Sequence, residues 1–211
     1  MTEAARRPEV IRVLERYLVE IVEKYDLCPW ARMARQKGEL AIHVLWGEPA
    51  IADWVEAGKA LLARPKTRVA MVIAPELAIE SAALHRIGGA VAKALPIAGV
   101  ADFHPRAPLD LATPARLVPY LRRSPDPMLQ LVPFSVLDAV RGPPSDATRV
   151  AQVSMLGGFV EPPKPDAAER VAANNHETVS DAHVEITRTL ESIAADRASS
   201  YQRVGIVTGS A

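Results

Sequence analysis

RVAMVIA, residues 68–74, is a nearly continuous apolar run, too short for a core helix and rich in strand-forming side chains. It reads as a strand with both faces buried, and such a strand needs helices on both sides of its sheet. Its flanks supply them. Upstream, AIADWVEAGKALLA at 50–63 has helical spacing, and downstream a second, alanine-rich helix spans 77–95. Before the first helix, ELAIHVLW at 39–46 alternates, with Leu40, Ile42, Val44 and Trp46 on one face and Ala41, His43 and Leu45 on the other. After the second, GVADF at 99–103 makes a third strand. Strands alternating with helices of this length define an α/β fold with pairing through right-handed crossovers. MLQLV at 128–132 adds a fourth strand. The expectation is a mainly parallel sheet of about four strands, with a mixed sheet as the variant left open, covered by helices.

At the N-terminal side, Val10, Leu14, Leu18, Ile21 and Tyr25 recur at helical steps, with Pro8 suited to a first turn. This helix ends before Pro29, which disfavours helical backbone at Cys28. A short helical turn over Ala31 to Gln36 follows, and Gly38 is placed to take the left-handed conformation. SVLDAVR at 135–141, capped by Ser135, closes a core domain over residues 1–141. GPPSDATRVAQVSMLGGFVEPPKP then marks a Pro/Gly-rich linker or arm at 142–165. Residues 166–204 form a long C-terminal helix, started by Asp166, that packs on the core. Its apolar stripe runs through Val171, Val179, Ala182, Ile186, Leu190 and Ile193. Asn175 stands where the period calls for an apolar side chain, so this amide is expected to face the protein. The part near Asn175 is assigned to the chain's own sheet; near Ile193 a homodimer through this helix stays open.

The 211-residue chain carries 25 Lys plus Arg and 25 Asp plus Glu. With no net charge and 5% aromatic residues it lacks the field and the stacking platforms that collect nucleic acid. Cys28 is the one cysteine. That excludes an intramolecular disulfide and a multi-cysteine zinc cage, fits a reducing compartment, and with no apolar leader or span points to the cytoplasm and away from membranes. No phosphate-binding glycine loop, HExxH or GxSxG occurs; His176 and His183 are too far apart on one helix to share a metal unaided, so no metal site is expected and no cofactor is indicated.

The chemistry-bearing residues gather around two stretches. His104 directly follows the third strand, where ligands of open α/β sheets collect; the alternative is a histidine that caps the strand end. Cys28 is a nucleophile if His104 approaches it, or else a small apolar core residue, and its place at a helix C-terminus works against a thiolate. In LRRSPDPMLQL, 121–131, Pro125 and Pro127 hold the chain extended, so that Arg122, Arg123 and Ser124 form a stiff polar rim. Arginine suits carboxylate or phosphate; a solvated surface pair is the alternative. Gln130 interrupts a buried strand and needs partners, either on a site wall or in a structural hydrogen bond.

On these residues the chain resembles a bacterial family, the domain of unknown function numbered fourteen-fifteen. The likeness covers roughly residues 8–180. It lies in the LCPF-type turn at Leu27, Cys28, Pro29 and Trp30, the FHP motif at Phe103, His104 and Pro105, an NRSPxPxLHLLR-like segment from Arg122 to Pro133, and an asparagine motif at Asn175 with Thr178. Where the family segment has asparagine, histidine and arginine, this chain has Arg122, Gln130 and Pro133. The resemblance implies a site at these motifs and no particular reaction.

Two functions follow as expectations. One is a small-molecule enzyme or enzyme-like domain, with Cys28 and His104 as the reactive pair and Arg122, Arg123, Ser124, Gln130 and Asn175 binding a small anion. The other is a non-catalytic ligand-binding or interaction module in which the same residues are structural.

Overall fold

The computed structural model describes residues 2–28, 30–141 and 167–208, so the arm assigned to 142–165 and the Asp166 cap lie outside the described residues. The elements are α1 (Glu3–Tyr17), continued by a π-helical segment (Leu18–Glu23), α2 (Ala31–Gln36), β1 (Leu40–Val44), α3 (Ile51–Leu62), β2 (Val69–Ile73), α4 (Ser81–Ala94), β3 (Ala98–Phe103), α5 (Pro114–Leu121), β4 (Met128–Pro133), α6 (Phe134–Arg141) and α7 (Ala167–Val204). The first helix starts earlier than its apolar period indicates, which leaves Pro8 inside it. Gly38 takes φ 67 after α2, as the turn into β1 requires.

The sheet is mixed, in the order β1-β2-β4-β3. β1 runs parallel to β2, and β4 lies between β2 and β3, antiparallel to both. The mixed variant is the one realised, because the proline-rich connection from His104 to Pro127 brings the chain back over the same edge from which β3 leaves. Val44 pairs with Ile73, Ile73 with Met128, and Met128 with Phe103. The ends of β1, β2 and β3 and the start of β4 therefore share one edge.

Alternation divides the side chains between two cores. Ala41, Ala70, Val72, Leu129 and Leu131 face α3 and α4, where Trp54, Leu61, Leu84 and Val91 are inaccessible to water. This layer is tight: a Cβ at Gly58 of α3 would come within 3.0 Å of the Leu131 side chain. On the opposite face Val44, Met71, Ile73 and Met128 meet α1, the π-helical segment, α5 and α7. Each large side chain buried in this way contributes about 2 kcal/mol.

The stripe on α7 is covered by its own chain. Val179, Ile186, Leu190, Ile193 and Tyr201 are buried, and Asn175 is 5% exposed, facing inward as the period demands. Ile193, where a second chain was considered, is 1% exposed and packs within this core. Beside it Arg12 and Arg16 of α1 both bind Asp196, at 2.8 and 2.6 Å. No described helix is long and apolar enough to cross a membrane.

Candidate functional site

Between the α1 face of the sheet and the helices lies a cavity of about 260 Å3. Tyr17, Leu18 and Val22 form one wall, and the switch from α- to π-helical winding at Leu18 places them. Leu27 closes that segment, its N–H reaching the carbonyl of Val22, five residues back, at 2.9 Å. Such π-helical insertions recur at functional sites. Leu40, Val69, Met71 and Phe103 form the floor, while Val118 and Leu121 of α5 supply another side. The lining is mostly apolar, and its polar side chains include four of the residues singled out from the sequence: Cys28, Arg122, Gln130 and Asn175.

Each of these four has its own environment. The Asn175 amide nitrogen donates to the carbonyl of Leu27 at 3.0 Å, which fixes the orientation of the amide because the oxygen cannot donate. Its Oδ1 is then left buried without a partner. Arg122 is half-buried at the end of α5, and its guanidinium makes no hydrogen bond or ion pair among the described residues; its carbonyl accepts the N–H of His104. Gln130 sits mid-strand in β4 between Met71 and Ala101, and its amide too has no bonded partner among the described residues. Burial pushes the Cys28 thiol up, against the smaller opposing effect of the nearby backbone N–H groups of Trp30 and Ala31. Cys28 thus lies at the start of α2 as well as beyond the π-helical segment, and solvent exclusion, more than a helix C-terminus, keeps it neutral.

The other three sequence candidates are not on the cavity wall. His104, 5% exposed, has both ring nitrogens in use: Nε2–H donates to the Ile79 carbonyl at 2.9 Å, and Nδ1 accepts from the N–H of Arg106 at 3.1 Å. That arrangement commits both ring nitrogens to the backbone. Cys28 lines the cavity and His104 does not. Arg123 donates from Nε to the carbonyl of Pro105 at 3.0 Å, and the buried Ser124 hydroxyl donates to the carbonyl of Asp126. The stiff rim of LRRSPDPMLQL is therefore divided: Arg122 and Gln130 reach the cavity, while Arg123 and Ser124 hold the loop together.

Sequence reasoning missed the group that anchors this loop. Asp126, 3% exposed, accepts from Arg197 Nε at 2.7 Å and from the Tyr201 hydroxyl at 2.6 Å. Arg197 also donates to the carbonyl of Pro75 at 3.0 Å, and its guanidinium stacks 4.7 Å from the Tyr201 ring. Asp126 thereby joins the β4 entrance, the β2 exit and α7. No group of His, Cys, Asp and Glu among the described residues has metal-binding geometry.

Fold and cavity together define a mixed α/β domain with a largely apolar recess and a few unengaged polar groups on its wall. No family model matches the chain, and no curated protein or solved structure matches it.

Proposed function

We propose that this domain binds a small molecule in the cavity, with an anionic group of the ligand against Arg122. One observation carries the reading: the Arg122 guanidinium and the Gln130 amide, both with donors unspent, stand on the wall of an otherwise apolar recess. A structural arginine would be expected to spend its donors on carbonyls or carboxylates, as Arg123 and Arg197 do. A recess lined by hydrophobic residues with few convergent polar groups is the general form of a ligand site. The Cys28 thiol supplies a contact on its wall. Its pairing with His104 plays no part, since that ring is occupied by Ile79 and Arg106. The proposal thus favours a binding module over Cys/His nucleophilic catalysis.

The test is a panel of small organic acids, neutral apolar compounds and phosphate esters, assayed on the full chain by native mass spectrometry. The variant Ala31→Trp fills the recess from α2. Binding to the wild-type chain that disappears in Ala31→Trp is the expected result. A panel that shows no binding, or binding that Ala31→Trp leaves unchanged, overturns the proposal.

A further inference from the structure

At one side of the sheet a strand is left open. β1 (Leu40–Val44) comes first in the order β1-β2-β4-β3, so no described strand pairs with its other side. Its bonds to β2 fall on odd-numbered residues: the Glu39 carbonyl accepts from the Val69 N–H, and the Leu45 N–H donates to the Ile73 carbonyl. In a parallel pair, alternate residues turn both backbone groups to the same neighbour, so those of Leu40, Ile42 and Val44 point to the open side. The Arg7 guanidinium marks that side, donating to the Ile42 carbonyl at 3.2 Å.

Positive charge gathers around this edge. Arg7 reaches it from α1, on one face of the sheet, and Arg64 follows α3, on the other. Both act on His43 of β1, whose pKa is lowered by burial and then by the charges of Arg64 and Arg7. Lys37 and Lys66 precede Leu40 and Val69, which pair in register, so both lysines stand at the same end of the edge. All four cations are exposed, and none has a carboxylate partner among the described residues. Arg68 beside them meets Glu39 only at 3.8 Å. The chain as a whole balances 25 basic against 25 acidic side chains, so the excess at this corner is local.

We propose that β1 is a docking edge for an acidic, extended segment of a partner protein, which adds to the sheet as a further strand. The backbone groups of Leu40, Ile42 and Val44 supply the pairing. Side chains of an added strand alternate between its faces, where Arg7 and Arg64 meet carboxylates on either side, and Lys37 and Lys66 meet those at its end. Charge on an edge strand also guards it against pairing with its own kind. Here both effects select the same partner: like charge repels a second copy of this edge, and opposite charge draws an acidic strand. A nucleic acid or an anionic membrane matches the charge but makes no use of the row of backbone donors and acceptors between the cations. The docking edge does not depend on a ligand in the recess.

The experiment is fluorescence anisotropy of labelled probes titrated with the full chain. The probes are a short strand-forming peptide of valine, threonine and glutamate, the same peptide with N-methylated backbone, its lysine counterpart, and a DNA duplex; vesicles of phosphatidylserine and phosphatidylcholine are tested by co-sedimentation. The acidic peptide is expected to bind, and the N-methylated and lysine forms to bind about tenfold more weakly or less. Arg7→Ala combined with Arg64→Ala should weaken the acidic peptide by about tenfold while circular dichroism stays unchanged, since both side chains are exposed. Arg64→Glu, at a side chain with no ion pair to lose, gives the same reading where the double variant fails to fold. An N-methylated peptide that binds as well as its parent overturns strand addition. DNA or vesicles that bind more tightly than the peptide, and lose binding in the same variants, overturn the acidic strand in favour of a general polyanion surface. An acidic peptide that does not bind, or that binds these variants as it does the wild type, overturns the proposal outright.

Discussion

Asn175 of α7 and Leu27 of the turn after the π-helical segment, 148 residues apart, are joined by a hydrogen bond of 3.0 Å from the amide nitrogen to the backbone carbonyl. The bond fixes the far end of α7 over the cavity and leaves the amide oxygen unpaired. The two consequences oppose each other in stability.

Asn175→Leu removes the bond to Leu27 but also removes the orphaned oxygen, so the net loss should be small, about 1 kcal/mol. Asn175→Asp sets a buried carboxylate against the Leu27 carbonyl, with no donor for either, and should cost about 3 kcal/mol or more. Urea unfolding followed by circular dichroism measures both. A Leu variant less stable than the Asp variant would contradict this account.

The Asp126 anchor predicts a steeper series. Asp126→Ala strands the Arg197 guanidinium in a largely buried position and should destabilise by about 3 to 5 kcal/mol. Tyr201→Phe deletes one bond to the same carboxylate and should cost about 1 to 2 kcal/mol. Arg123→Ala, which loses one bond to Pro105 at a half-buried position, should cost about 1 kcal/mol. Midpoints in denaturant that fall in another order would place the anchor elsewhere.

The contact between α1 and α7 should be visible in acid. Arg12 and Arg16 hold the Asp196 carboxyl down to about 2, below its ordinary value of 3.8. A carboxyl depressed in the folded state stabilises above its unfolded value and loses that contribution as pH falls through the folded one. Stability should therefore decline between about pH 4 and pH 2. Asp196→Asn should flatten that part of the profile, by about 1 kcal/mol given the partial exposure of the cluster. An unchanged acid limb in the variant would show that the ion pairs add nothing.

Cys28 gives the opposite sign. Burial raises its pKa above the ordinary 9.0, so the unfolded chain ionises first and stability should decline as pH rises past that value. Alkylation by iodoacetamide at neutral pH should be slow in the folded protein and fast in urea. His104→Gln should lower stability by about 2 kcal/mol through the lost ties to Ile79 and Arg106, yet leave the alkylation rate of the folded protein unchanged. A rate that falls in that variant would restore the Cys28–His104 pair.

The elements were legible because their periods are clean: β1 separates Leu40, Ile42 and Val44 from Ala41 in the structure as in the sequence. The direction of β4 was not legible, since a strand buried on both faces carries no mark of its neighbours' polarity. Nor was the π-helical segment, where Leu18, Ile21 and Val22 fit an α-helical stripe equally well. Asn175 was found from a break in the stripe of α7. The same step continued from Ile193 reaches Arg197 and then Tyr201, so the Asp126 anchor was signalled by polar residues that hold apolar positions. His104 shows the limit: its position after β3 was evident, but its role depends on the Ile79 carbonyl and the Arg106 N–H, which belong to connections without periodicity.

The strand order has a consequence for how the chain acquires its shape. β1, α3 and β2 form one local unit, yet the second edge of β2 is paired by β4, whose residues come long after it in sequence, with α4, β3 and α5 in between. A nascent chain that stops short of Met128 presents the backbone of Val69–Ile73 as an open template for other chains. High contact order of this kind slows folding and lengthens exposure to aggregation during synthesis.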